Sequence, residues 1–304
     1  MVRASRFWES GDGRYELWLA DALDPEQVET VLGGRTPKAL IVDAPYSAAT
    51  HSGHKAAAVT IKRAADFAAS QPKHTSQHQR AVRRYASRKG GLRARADITY
   101  APWSCEDVER FVDLWSPLTH GWLCSLTDHI LFPHWASSAG INDRVAFAPL
   151  PFVETGSRVR MVGDGPSSWT CWLSVSRPRG EPWSKWGALR GAYVLPGERY
   201  FNAAEKDERI IGGKPVGGMC MIVSDYSRRG DLVVDPCCGA GTTLVAARMM
   251  GRPAIGLDTC REHLEIAARR IARTHEQVTL LGAEQDWGQP ELFAQPGAKE
   301  ECES

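Results

Sequence analysis

Four times along the chain a short apolar run stops at an aspartate. Tyr15 to Ala20 (YELWLA) meets Asp21, Ala39 to Val42 (ALIV) meets Asp43, Leu232 to Val234 meets Asp235, and Ala254 to Leu257 (AIGL) meets Asp258. Short runs of this kind are what strands buried within a parallel sheet look like. Helices follow two of them: Asp24-Pro25-Glu26 opens one by capping signals, and Thr242 to Met250 reads as another, ended by Gly251. Repeated strand, acidic stop and helix describe an open α/β sheet with a ligand crevice at the strand ends.

The middle of the chain can complete the same sheet. Cys105 to Trp115 reads as a helix, and Gly121 to Leu126, Val145 to Val153 and Thr170 to Val175 read as strands. Pro178 to Glu198, rich in Pro, Gly and Trp without a clear period, reads as irregular structure, and the polar stretch after Gln285 as a mobile tail. A length of 304 residues suits two domains or one large α/β domain with an insertion, and 43% hydrophobic with 24% charged residues excludes a disordered, collagen-like or coiled-coil chain. No apolar run approaches the roughly 20 residues that cross a bilayer. The first residues lack the apolar stretch of a signal peptide, so no membrane association and a cytoplasmic location are expected. The eight cysteines form no CxxC pair, so reduced thiols and no metal are expected.

Asp235-Pro-Cys-Cys-Gly-Ala-Gly-Thr-Thr243 joins a strand, a turn with Gly239 and Gly241, and a helix start at Thr242, with Asp258 at the end of the next strand. Glycines let the backbone approach a ligand, a helix amino terminus favours an anion, and an acid about 20 residues on can hold ribose hydroxyls. The loop is neither GxGxxG nor GxxxxGK[ST], so neither a dinucleotide nor a triphosphate is indicated. S-adenosylmethionine fits, its amino-acid carboxylate taking the anion position.

Here a resemblance becomes specific. DPCCGAGTT resembles the DPFxGSGTT cofactor loop of DNA methyltransferases that act on exocyclic amino groups, and Asp43-Ala44-Pro45-Tyr46 resembles their catalytic DPPY. Lys214-Pro215 resembles the KP element preceding that loop, and Leu19 to Leu23 resembles GDAL. The order, catalytic tetrapeptide first and cofactor loop last, is that of the β group. The resemblance implies a circularly permuted, Rossmann-like sheet that binds S-adenosylmethionine. Asp21, Lys214, Pro215, Asp235, Cys237, Gly239, Gly241, Thr242 and Asp258 are its expected cofactor residues, and Asp43, Ala44, Pro45 and Tyr46 its catalytic ones. Ala44 departs from the first Pro of the motif and keeps the carbonyl while losing the ring that stiffens it.

The tetrapeptide has a chemical logic of its own. An exocyclic amino nitrogen of adenine or cytosine is a poor nucleophile because its lone pair is delocalised into the ring. Two acceptors, the Asp43 carboxylate and the Ala44 carbonyl, can draw its N–H groups toward a tetrahedral arrangement, while Tyr46 stacks on a base flipped from the duplex. Cys237 follows Pro236 as a cytosine C5 nucleophile would, but it stands inside the cofactor loop, which assigns it to packing there.

A net charge of +1 conceals a strongly basic segment. Residues 51–96 hold eleven Lys or Arg and one acid, Asp66. Lys62, Arg63, Arg80, Arg83, Arg84, Arg88, Lys89 and Arg93 are the expected phosphate contacts. The expected organisation is a catalytic domain over 14–50 and 98–284, a basic DNA-binding insertion over 51–97, a short target-recognition segment within 178–212, and a flexible tail over 285–304. Gln289 to Phe293 (QPELF) resembles the peptide by which bacterial DNA enzymes dock on the sliding clamp. A monomer or homodimer is expected. Because the tetrapeptide begins with Asp, the expected product is N6-methyladenine in DNA. The alternatives are N4-methylcytosine, a non-catalytic nucleic-acid-binding pseudoenzyme, and RNA as substrate.

Overall fold

A computed structural model describes residues 3–51, 100–155, 168–180, 186–196 and 213–281, and within them ten strands form one mixed sheet. In chain order these are β1 (Ser5–Glu9), β2 (Tyr15–Leu19), β3 (Ala39–Asp43), β4 (Trp122–Thr127), β5 (Arg144–Ala146), β6 (Leu150–Thr155), β7 (Thr170–Pro178), β8 (Tyr193–Pro196), β9 (Val233–Asp235) and β10 (Ala254–Asp258). Along the sheet they run β1-β2-β10-β9-β3-β4-β7-β6-β8, with β5 also paired to β7. The stretch β2-β10-β9-β3-β4 is parallel throughout, whereas β7 is antiparallel to both β4 and β6. The last two described strands, β9 and β10, thus insert between β2 and β3, which come early. That is the expected permuted α/β sheet.

Helices cover both faces, as a parallel sheet buried on two sides requires. One layer holds α1 (Pro25–Leu32), α2 (Cys105–Trp115) and α3 (Phe132–Ile141), whose Val28, Phe111, Trp115 and Trp135 pack with Leu40, Val42, Leu123, Val234 and Leu257 of the strands. The other holds α4 (Val216–Tyr226), α5 (Thr242–Met249) and α6 (Arg261–Leu281), whose Met219, Ile222, Leu244, Leu264 and Ile271 pack with Leu17, Ile41, Cys124 and Val233. Neighbouring strand residues such as Leu40 and Ile41 therefore point into opposite layers, the period-2 rule at work. The helix starts expected from sequence have local causes. Asp24 accepts from the backbone N–H groups of Glu26 and Gln27 at the start of α1, and Ser104 forms a reciprocal capping box with Asp107 at the start of α2.

Several elements differ from the expectation. Tyr193–Pro196, inside the stretch read as irregular, is strand β8, parallel to β6. It forms because Tyr193 is buried with its hydroxyl donating to Asp225 at 2.7 Å, a tertiary tie invisible in local pattern. The single strand expected over Val145 to Val153 is two, β5 and β6, both paired to β7, with Phe147, Ala148 and Pro149 between them. Helices α3 and α4 carry Pro, Gly and small residues and lack a polar stripe, so their period is weak. The edge strand β1 was likewise not foreseen. The basic residues Lys62, Arg63, Arg80, Arg83, Arg84, Arg88, Lys89 and Arg93, and the tail with Gln289 to Phe293, lie outside the described residues.

Candidate active site

The adjacent strands β9 and β3 are where the sheet changes direction: connections from β9 lead to β10 on one side, and those from β3 lead to β4 on the other. Such a switch point opens a crevice at the carboxyl ends. Asp43 and Asp235 end these two strands, and Asp258 ends β10 beside them. Asp21 follows β2 and is exposed.

Of the four, Asp43 carries the ion pair with a lysine. The Lys214 ammonium donates to its Oδ1 at 2.8 Å and to its Oδ2 at 2.7 Å, and the Tyr46 hydroxyl donates to Oδ1 at 3.3 Å. Lys214 Nζ also lies 4.9 Å from the centroid of the Tyr46 ring, within cation–π range. Burial pushes the Asp43 carboxyl up, and the Lys214 charge pulls it back. For Lys214 burial works against the ammonium, but Asp43 outweighs it and the group is held above the usual lysine value. Burial also pushes the Tyr46 phenol well up, with Asp43 and Cys171 adding to the shift. Ala44 is buried among the residues of the α1–α3 layer, and Pro45 follows it into the turn.

The loop after β9 is held by its own backbone and by two carboxylates. Asp235 accepts from the Cys237 N–H at 3.1 Å and hydrogen bonds with Thr243, while burial pushes its carboxyl up to about 7. Cys238 N–H donates to the Leu257 carbonyl at 2.8 Å, and Gly239 N–H donates to Asp258 Oδ2 at 2.9 Å. Gly239 and Gly241 both have positive φ, +50° and +72°, a backbone that glycine adopts without strain. A Cβ on Gly241 would stand 2.8 Å from the Ala267 Cβ of α6, so this glycine also serves close helix packing. Arg270 of α6 donates to the Ala240 carbonyl and, at 3.0 Å, to the Thr242 hydroxyl. Burial, followed by the negative charge of Asp235, pushes the Cys237 thiol far up, so it is a neutral packing group unsuited to nucleophilic attack.

Asp258 also accepts from the Cys260 N–H at 2.7 Å and lies 3.4 Å from His263 Nδ1. Its hydrogen bond to that carboxylate raises His263 above the ordinary histidine value, burial opposing it. Asp21 accepts from the Leu23 N–H at 2.9 Å and is near enough to contribute to the shift of Cys237. The donor set suits S-adenosylmethionine. Carboxylates at the ends of three neighbouring strands can accept from its ammonium, ribose and adenine amino groups, and the amino terminus of α5, which no side chain caps, can take its carboxylate. Among the described residues no cluster of His, Cys, Asp or Glu could hold a metal ion.

Two participants, Asp128 and Thr243, escaped the sequence reading, and Lys214 stands against a partner it did not foresee. Asp128, just past β4, accepts from the Ser47 N–H at 3.0 Å, the Thr50 hydroxyl at 2.6 Å and the Leu131 N–H at 3.0 Å, tying the turn after Tyr46 to the next strand. It is a fifth apolar run ending in Asp, which was the available signal. Thr243, rather than Thr242, reaches Asp235. Lys214, expected among the cofactor residues, lies on Asp43, with Pro215 capping α4 behind it.

Comparison with known proteins fits this geometry. Residues 64–269, more than half of the chain, match the model of the DNA methylase family of N6 and N4 methyltransferases, and the chain belongs to that family. The match begins after Tyr46. Curated relatives include the Type II methyltransferase M2.DpnII of Streptococcus pneumoniae, 40% identical over 55 residues (18% of this chain and 20% of the relative). Another is the Type II methyltransferase M.EcaI of Enterobacter cloacae, 35% identical over 103 residues (30% and 23%). These alignments span about a fifth to a quarter of those relatives. Among solved structures, the M1.HpyAVI–SAM complex superposes with a TM-score of 0.53 at 15% identity, covering 84% of this chain and 98% of that one. The PvuII cytosine-N4-specific DNA methyltransferase gives a TM-score of 0.50 at 10% identity, covering 87% and 92%. At such identities the likeness is one of fold. Among the described residues no helix is long and apolar enough to cross a membrane.

Proposed function

We propose that this protein transfers a methyl group from S-adenosylmethionine to an exocyclic amino group in DNA, adenine N6, in a base flipped from the duplex. The observation that carries the reading is the pairing of Asp43 with Tyr46 at the end of β3, directly beside the glycine loop that ends β9. Asp43 accepts one N–H of the target amino group and the Ala44 carbonyl accepts the other, which localises the nitrogen lone pair. Tyr46 offers its ring as the stacking surface, and its hydroxyl on Oδ1 restrains the carboxylate. When bound, S-adenosylmethionine supplies an activated methyl group on its sulfonium. Asp235 and Asp258 hold its amino-acid and ribose ends, Asp21 accepts from the adenine amino group, and Gly239 and Gly241 border the loop. The basic residues between 51 and 97 bind the phosphate backbone, and Gln289 to Phe293 is a candidate clamp-docking peptide.

The test is incubation with labelled cofactor and DNA of mixed sequence, followed by digestion to nucleosides. Label in N6-methyldeoxyadenosine supports the proposal. Label in N4-methyldeoxycytidine keeps the mechanism and changes the base, label in RNA alone changes the polymer, and cofactor binding with no transfer to either identifies a pseudoenzyme.

A further inference from the structure

Lys214 donates to both oxygens of Asp43, the carboxylate assigned above to the target amino group. Its side chain is only 8% exposed, and that of Asp43 24%. The lysine is delivered by a rigid mount. Pro215 caps α4, and α4 is pressed so tightly on β6 and β8 that a Cβ on Gly218 would come within 2.7 Å of the Phe152 ring and 2.5 Å of Leu195. Met219, Ile222, Val223 and Tyr226 anchor the same helix in the core.

An ionised carboxylate offers about four acceptor positions over two oxygens. Among the described residues Lys214 and Tyr46 take two on Oδ1 and Lys214 takes one on Oδ2, which leaves one on Oδ2 for an incoming N–H. A protonated Asp43 would lose that acceptor strength, and its surroundings press toward protonation. Asp235 on β9 is a buried acid nearby, and Cys171 on β7 and Tyr46 in the turn contribute no positive charge. Glu154 on β6 adds to the negative field around Lys214 and Cys171. Among the described residues Lys214 is the positive charge that faces this group.

We propose that Lys214 is a positioning residue of the methyl-transfer site, clamping both oxygens of Asp43 so that one acceptor position on Oδ2 is held open toward the target amino group. The clamp also accounts for tolerance of Ala44: the stiffness that a proline ring would give the motif from the backbone side is supplied from the side chain. This inference rests on the proposed function, but the clamp itself can be read without catalysis.

The experiment compares wild type with Lys214→Met, Lys214→Gln and Lys214→Arg. The 13C resonance of the Asp43 carboxyl, assigned by its loss in Asp43→Asn, is titrated in cofactor-free protein. S-adenosylmethionine affinity is measured by calorimetry, and the single-turnover rate on DNA is followed against pH. Removing a cation in direct contact raises the midpoint of a carboxyl by about 1–3 pH units, so the Met and Gln variants should titrate that much higher and the Arg variant near wild type. The acid limb of the rate should move upward with the midpoint, while cofactor affinity stays within about 3-fold. If the Met variant does not fold, the Gln variant carries the same expectation. An unmoved midpoint overturns the clamp, as does a cofactor affinity weakened about 10-fold or more with the acid limb in place. If the midpoint moves but wild type methylates nothing, the clamp stands and the proposed function falls.

Discussion

Replacing Gly241 by alanine should cost more than replacing a glycine of similar backbone elsewhere, and the structure says by how much. Gly241 has φ of +72°, and a β-carbon in the left-handed region costs about 1–2 kcal/mol. Its Cβ would also stand 2.8 Å from the Ala267 Cβ and 3.2 Å from the Ala267 Cα, rigid atoms of α6 that cannot swing aside. Overpacking of that kind costs about 1–3 kcal/mol, for a total of about 2–5 kcal/mol. Gly251, with φ of +73°, is the control: a Cβ there would meet only the flexible Arg229 guanidinium at 3.6 Å or more, so its replacement should cost the backbone part alone. Urea unfolding of both variants at constant m isolates the packing difference. A Gly241→Ala variant within about 0.5 kcal/mol of Gly251→Ala would refute the packing argument, leaving the loop glycine to be explained by the ligand alone.

Asp258→Ala should weaken S-adenosylmethionine binding about 10- to 150-fold, the loss of roughly 1.5–3 kcal/mol for a charged acceptor, and calorimetry showing unchanged affinity would contradict its ribose role. Asp235 is raised from 3.8 to about 7, so the folded chain holds that proton more tightly than the unfolded chain. Its contribution to stability is therefore whole below about pH 4 and lost as pH rises through about 7. Asp235→Asn should flatten the stability slope across that window in urea unfolding, and equal slopes would show that another group is responsible. Neutralising Arg83, Arg84, Arg88 and Lys89 together should weaken binding to all DNA sequences alike and reduce the salt slope by about 0.9 per lost phosphate contact; an unaltered slope would make the basic segment a solvated surface.

The parallel half of the sheet was legible because each strand there is a short apolar run closed by an aspartate, and runs such as ALIVD carry both core and site in five residues. The capping residue Asp24 made the start of α1 equally plain, whereas the Ser104 capping box of α2 went unread. The remainder depends on contacts between distant parts of the chain. Strand β8 exists because Tyr193 and Arg190 meet Asp225, more than thirty residues away. Lys214 was visible as part of a short motif, but its partner, 171 residues earlier, was not. Asp128 shows the opposite failing: its run was recognised as a strand, and the aspartate just beyond Leu126 and Thr127 was passed over although the same pattern had been used four times. Thr242 and Thr243 look alike in sequence, and only the turn of α5 decides that the second faces Asp235.

The central claim is that the Asp43 carboxylate acts on the target amino group and not on the cofactor. Asp43→Ala, assayed in single turnover with saturating S-adenosylmethionine and DNA, tests it most directly. The account predicts loss of the chemical step with cofactor affinity within about 3-fold of wild type, since the interaction is made in the transition state. A variant that keeps more than about a tenth of the wild-type rate, or that loses cofactor binding in step with activity, would contradict it.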